Sequence, residues 1–238
     1  MLFKQILKLL LNAKTKRSIK EQLGVPGLHK TLMMLKQRGY QPKFVIDGGA
    51  YEGQWALNFL EVYANAKILM IEAQAAKISI LEGVTCKHPN VKWHQAILAA
   101  EDRKKVIFSE NETASHVKSE ADNAQEGISC ETLDGIINRF GYIFPDFIKL
   151  DVQGYELEVL KGAPISLAHA EFCLLEVTLI GIANEPLMAD VIRFMDEQGF
   201  QAYDICEFIR RPYDKALYQI DLLFIRKSSP FIAVKRWD

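Results

Sequence analysis

Val45-Ile46-Asp47-Gly48-Gly49-Ala50-Tyr51-Glu52-Gly53 carries the first half of the fold within nine residues. Phe44-Val45-Ile46 is a short apolar run that stops at a Gly-rich turn, and Trp55, Phe59, Leu60 and Tyr63 then recur at helical spacing. The stretch therefore reads as strand, turn, helix. Gly49 and Gly53 permit unusual φ angles and a close approach of backbone to a ligand. Asp47, at the strand's carboxyl end, offers an acceptor to polar groups of that ligand. The spacing is DxGxxxG; it is neither GxGxxG nor GxxxxGK[ST], so a pyrophosphate cradle or P-loop has less support. A tight turn that merely joins strand to helix would look the same from these residues alone.

Outward from the turn the alternation continues. Lys67 to Ile71 is a second apolar run, Ile78 to Leu81 falls in a helix, and Val91 to Ile97 is a third run. The polar segment Ser109 to Gly127 reads as an insertion or mobile loop, preceded by a weak strand at Lys105 to Phe108. Thr132-Leu133-Asp134 opens a helix to Phe140 with Thr132 as its cap. Phe147 to Val152 and Glu171 to Val177 are strands separated by a helix at Glu156 to Lys161, and Pro186 to Gln198 is a helix stopped by Gly199. Strands alternating with helices imply parallel pairing and a sheet covered on both faces. Phe200 to Phe208 and Leu217 to Arg226 have only a short connection, which requires an antiparallel pair.

Residues 1–42 precede the first strand and form a helical extension. Leu2, Phe3, Ile6, Leu7 and Leu9 to Leu11 lie at helical spacing, Gly24-Val25-Pro26-Gly27 interrupts, and a second helix runs from Leu28 to Arg38. Residues 43–238 make the catalytic-sized unit. The extension carries a charge imbalance: residues 1–43 hold ten Lys/Arg against Glu21 alone, which leaves 19 basic and 29 acidic residues to the rest of the chain. Such a leader is a solvated helical face or a contact for anionic membrane or an acidic partner; nucleic acid is not the expected partner.

Composition bounds the class. Hydrophobic residues at 49% and charged residues at 25% are those of a globular protein, and no apolar run approaches the roughly 18 to 20 residues of a membrane span. Met1 to Leu11 is punctuated by Lys4 and Lys8 and is followed by no small-residue cleavage site, unlike a secretory signal. Cys86, Cys130, Cys173 and Cys206 are scattered without CxxC or zinc-ligand spacing, as reduced cysteines of a cytoplasmic protein are. His29, His88, His94, His116 and His169 form no ligand spacing either, so no metal is expected. His116 lies in the polar segment where loops carry function, and is a candidate substrate contact.

Carboxylates complete the candidate site. Glu72 ends the second strand, about one βαβ unit beyond the glycine turn, where an acid can accept both hydroxyls of a ribose. Asp151 closes the strand from Phe147, and Glu176 lies near the end of the next. Parallel pairing brings all three to the sheet edge that holds Asp47. Asp151 is also placed to cap a helix, and Glu156 to favour that helix's dipole or to contact substrate.

These residues, taken in order, resemble a known family. Gly39-Tyr-Gln-Pro-Lys-Phe-Val-Ile-Asp-Gly-Gly-Ala-Tyr-Glu-Gly-Gln-Trp55 is similar to the PxxVxDVGANxGxW opening of FkbM-type methyltransferases. Ile71-Glu72-Ala73 resembles their FEP, Thr132-Leu133-Asp134 their TLD, and Ile148-Lys-Leu-Asp-Val-Gln-Gly-Tyr-Glu-Leu-Glu-Val-Leu-Lys-Gly-Ala163 their KxDVEGxExxVLxGA. The resemblance runs from about Gly39 to Arg226. It implies an α/β Rossmann-like class I methyltransferase: a seven-stranded, mostly parallel sheet with an antiparallel final strand. It also implies S-adenosylmethionine as cofactor, with Asp47, Gly49, Ala50, Tyr51 and Gly53 around its methionine part, Glu72 and Ala73 at the ribose, and Gln95 and Ala96 near the adenine. The expected reaction is methyl transfer to a hydroxyl of a small-molecule or glycan acceptor, with Asp151 as base or anchor and Glu176 and Lys149 assisting. Gly48 stands where the pattern has Val, Tyr51 where it has Asn, and Gln153 where it has Glu. A nicotinamide-dependent oxidoreductase shares the strand, turn and distal acid, and a non-catalytic module on the same fold is the third reading.

Overall fold

The computed structural model describes residues 15, 22–109, 116–120, 128–181 and 185–237. The apolar run of Leu2 to Leu11 lies outside them, as do 110–115 and 121–127 of the polar segment. The helix α1 (Leu28–Gln37) leads into strand β1 (Phe44–Gly48), helix α2 (Gln54–Val62), strand β2 (Lys67–Glu72), helix α3 (Ile78–Lys87) and strand β3 (Val91–Gln95). After an inserted region come helix α4 (Leu133–Phe140), strand β8 (Phe147–Leu150), helices α5 (Glu156–Lys161) and α6 (Pro164–His169), strand β9 (Phe172–Thr178), helix α7 (Met188–Glu197), and strands β10 (Phe200–Arg210) and β11 (Leu217–Arg226).

The main sheet has the order β10-β11-β9-β8-β1-β2-β3. β1 pairs in parallel with both β2 and β8, β8 with β9, and β2 with β3, while β11 runs antiparallel between β9 and β10. This is the seven-stranded, mostly parallel sheet expected, with the final strand inserted against its neighbours. The chain builds outward from β1 to β3 and then returns to the other side at β8. The order therefore reverses between β1 and β8, where open α/β sheets hold their ligands.

Period-two alternation gives each strand two apolar faces. Ile46, Leu69, Ile148 and Leu175 pack with α4, α5 and α7 through Leu133, Ile136, Val159, Leu160, Val191 and Met195. Val45, Ile68, Met70, Phe147 and Leu174 pack on the opposite face with Leu32 and Leu35 of α1 and Ala56 and Phe59 of α2. The described part of the N-terminal extension is thus built into the body: Thr31 also donates to Asp204 of β10 at 2.6 Å. Among the described residues no helix is long and apolar enough to cross a membrane.

Two expectations change here. The run Val91 to Ile97 is not one strand, because the chain leaves the main sheet at Ala96 and Ile97–Leu98 (β4) pairs with Ile128–Glu131 (β7) in a second sheet. The polar segment is not simply a loop: Arg103–Ser109 (β5) and His116–Glu120 (β6) join that sheet, ordered β4-β7-β5-β6. The helix α6 had no expectation at all. It begins at Pro164, and Asp134 satisfies its amino end by accepting from Ile165 N at 2.7 Å, Ser166 N at 2.8 Å and Ser166 Oγ at 2.5 Å.

Candidate functional site

Toward the carboxyl end of the main sheet, the face that carries α1 and α2 changes from apolar to charged. Two residues beyond Val45, Met70, Phe147 and Leu174 stand Asp47, Glu72, Lys149 and Glu176, and Asp221 of β11 lies opposite Glu176. Asp151 follows just past β8. The sheet brings these side chains to one rim because parallel strands end together, and β11 adds Asp221 from the reverse direction.

The turn after β1 is held by its neighbours. Gly49 N and Ala50 N both donate to Ile71 O, at 2.9 and 3.1 Å, and Gly53 N closes onto Ala50 O at 2.7 Å. Gly49 and Gly53 have φ of +71° and +76°. Their absent side chains point into the protein: a Cβ on Gly49 would lie 1.8 Å from the Asp151 carbonyl oxygen, and one on Gly53 would meet Met70 Sδ at 3.0 Å. The glycines thus serve first to let the turn close on β8 and the core. Tyr51 (φ +50°) and Gln153 (φ +56°) are left-handed non-glycine residues, and they are two positions where the chain departs from the family pattern. At residue 51 the pattern's Asn suits that conformation better than Tyr does. The Tyr51 ring lies 3.7 Å from Lys77 Nζ, an ammonium paired with Glu52 at 2.9 Å.

Glu72, 6% exposed, accepts from Tyr51 N at 2.7 Å through one oxygen and from Gln74 N at 2.8 Å through the other. Each carboxylate oxygen has two lone pairs, so one on each remains for a diol. Gln95 Nε2 donates to Ala73 O at 3.2 Å, and Ala96 N donates to the backbone carbonyl of Glu72 at 3.3 Å, which ties the start of β4 to the end of β2.

Asp47 is fully buried and, among the described residues, its oxygens have no aligned hydrogen-bond donor, although Lys149 Nζ stands 2.9 Å from Oδ1. Burial raises its carboxyl against the pull of Lys149. Burial opposes the charge on Lys149 too, but Asp47 and Asp151 outweigh it and hold the ammonium above its usual range.

Asp151, with a side chain 40% exposed, is the accessible acid of the rim. Gln153 Nε2 bridges it to Glu176, donating to Asp151 Oδ1 at 2.9 Å and Glu176 Oε2 at 3.1 Å. Glu156 turns inward and accepts from Val152 N at 2.9 Å and Gly154 N at 3.2 Å, so it shapes the loop. Asp151 does not cap α5, whose capping residue is Tyr155. His116 lies in β6, at one edge of the second sheet. Gln153 and Asp221 were missed by sequence reasoning. The departure from Glu at 153 was the available signal for one, while the register that places Asp221 is visible only in the fold.

Burial and the neighbouring Asp151 push Glu176 up to about 9, burial and Asp151 push Asp221 to about 7, and burial takes Glu156 to about 7. Between the ordinary range near 4 and these values the folded chain keeps protons that the unfolded chain releases. Their stabilisation is complete below about pH 4 and disappears as pH rises to about 9. Thermal denaturation is expected to show a melting temperature several degrees lower at pH 9 than at pH 6, and Glu176→Gln to flatten that slope. An unchanged slope in the variant would remove Glu176 from this account.

The sequence from 47 to 202 matches the family model described as the methyltransferase FkbM domain. A search of curated proteins finds no match. Among solved structures, methyltransferase FkbM from Methylobacillus flagellatus KT is 18% identical with a TM-score of 0.49 over 78% of this chain; the chain spans 43% of that protein. Precorrin-6y C5,15-methyltransferase from Geobacter metallireducens GS-15 is 10% identical, with a TM-score of 0.50 over 84% of this chain and 87% of that one, a likeness of fold alone. Magnesium protoporphyrin IX methyltransferase from Synechocystis PCC 6803, solved with bound S-adenosylmethionine, is 14% identical with a TM-score of 0.48, covering 91% and 85%.

Proposed function

The chain belongs to the methyltransferase FkbM family, and on that premise we propose that it binds S-adenosylmethionine at the Asp47–Gly53 turn and methylates a hydroxyl of a sugar or secondary metabolite. One observation carries the reading. The glycine turn after β1 and the accessible Asp151 just past β8 meet where the strand order reverses, Asp151 N donating to Gly48 O at 3.1 Å, with Glu72 at the end of β2 on the other side.

The residues fit such a cofactor. The free lone pairs of Glu72 suit a ribose diol, with Ala73, Gln95 and Ala96 beside it for the adenine. Gly49, Ala50 and Tyr51 would hold the methionine part, and Asp47, buried at the root of the turn, would support them. Bound there, S-adenosylmethionine supplies a methyl group on a positively charged sulfur. The protein's own work is alignment and proton acceptance: a hydroxyl held near Asp151 gives its proton to that carboxylate as it becomes nucleophilic. Glu176, joined to Asp151 through Gln153, holds the base in place.

Calorimetry with S-adenosylhomocysteine and with NAD tests the cofactor. Binding of S-adenosylhomocysteine without measurable NAD binding is expected. The reverse result would favour a nicotinamide-dependent oxidoreductase, and binding of neither would favour a non-catalytic module. A panel of hydroxylated acceptors with labelled S-adenosylmethionine then tests the methylated atom.

A further inference from the structure

We propose that Lys149 is a positioning residue that locks the cofactor turn to the acceptor-side carboxylate, and that it does not carry a proton in the reaction. The inference rests on the methyltransferase reading above and deepens it by assigning the lysine a role. Four groups surround the ammonium. Lys149 Nζ donates to Gly49 O at 2.9 Å and to Gly48 O at 3.3 Å, and lies 2.9 Å from Asp47 Oδ1 and 3.9 Å from Asp151 Oδ2.

An ammonium has three hydrogens. The two carbonyls take two of them, the Asp47 carboxylate stands 2.9 Å away without an aligned hydrogen bond, and the residue is only 6% exposed, so the ammonium is closed to an incoming acceptor. The register explains why this position is used: Lys149 of β8 stands directly beside Asp47 of β1, at the pair of strands where the order reverses. On the side away from the carboxylates the surroundings are apolar, with the Trp55 ring centroid 6.0 Å away and Trp55 packed on Phe147 at 5.9 Å. Low polarity strengthens the tie and makes either charge costly alone. The lysine thereby fixes the carbonyl directions of the turn by hydrogen bonds and draws the Asp151 carboxylate, 3.9 Å away, toward them by charge alone.

A set of variants separates positioning from bulk stability. Lys149→Met and Asp47→Asn each remove one charge, and each is expected to lower the melting temperature by about 10 °C. The double variant removes the pair and is expected to recover most of that loss, since no unpaired charge remains. Its affinity for S-adenosylhomocysteine, measured by calorimetry well below the melting temperature, should nevertheless stay at least about tenfold weaker than wild type, because the Gly48 and Gly49 carbonyls have lost their donor. Lys149→Arg provides a second measurement: it keeps the charge, but a planar fork does not place its donors around one point, and a similar loss of affinity is expected. Wild-type affinity in either the double variant or Lys149→Arg overturns the inference. Failure of the wild-type protein itself to bind S-adenosylhomocysteine overturns the methyltransferase-site reading, and this inference with it.

Discussion

Gly49→Ala is expected to lower stability by about 3 kcal/mol or more and to abolish measurable binding of S-adenosylhomocysteine. The added methyl group would stand 1.8 Å from the Asp151 carbonyl oxygen and 2.8 Å from its carbon, and both obstacles are backbone. Neither can rotate away. The left-handed conformation adds about 1–2 kcal/mol for any residue with a Cβ, and forcing two packed segments apart adds about 1–3 kcal/mol. Relief requires β1 to separate from β8 at the rim where the turn and Asp151 meet, so stability and binding fall together. Gly53→Ala is the internal comparison. It has a similar φ, but its methyl would meet the end of the flexible Met70 side chain at 3.0 Å, which can yield. Thermal denaturation should rank Gly49→Ala as clearly the more damaging. The opposite order would show that the β1–β8 approach is looser than described.

Asp151→Asn is expected to reduce turnover about 100-fold or more while leaving affinity for S-adenosylhomocysteine within about threefold of wild type. Asparagine keeps the shape and can still receive the amide of Gln153, but it no longer accepts a proton from a hydroxyl. The measurement is single-turnover methylation of whichever acceptor the wild-type protein modifies, alongside calorimetry. A full rate with normal cofactor binding would exclude Asp151 as the base. Glu176→Gln should cost less, since that carboxyl is held protonated near neutrality and acts on Asp151 through Gln153. A larger loss at Glu176 than at Asp151 would reassign the base.

The parts of this site that were legible in the sequence share one cause. Strand periodicity and short turns are local signals, and parallel pairing then forces the ends of β1, β2, β8 and β9 to one rim, so Asp47, Glu72, Asp151 and Glu176 could be grouped before their contacts were known. Side-chain direction was not legible. Glu156 begins α5 as its position suggests, yet its carboxylate goes to two backbone amides of its own loop. Lys149 reads as an available charge in an alternating strand, but the register places it beside buried Asp47. Asp134 followed the helix cap Thr132 with no local sign that it would satisfy the amino end of α6 about thirty residues later. The second sheet was missed for a related reason: β4 is only two residues long, and its pairing with β7 spans the polar segment, so no periodic pattern announces it.

The reversed direction of β11 has a consequence for diversification. Because Gln219 pairs with Thr178 at the carboxyl end of β9, the bend between β10 and β11 emerges on the same side of the molecule as Asp151. Phe208, Ile209 and Tyr213 are exposed there, beside Arg210 and Arg211. Residues can be exchanged or added in this outlying bend without altering the pairing of β1 with β2 and β8. On the proposed reading, selection for a new methyl acceptor has a peripheral region to work on, outside the turn that would hold the cofactor.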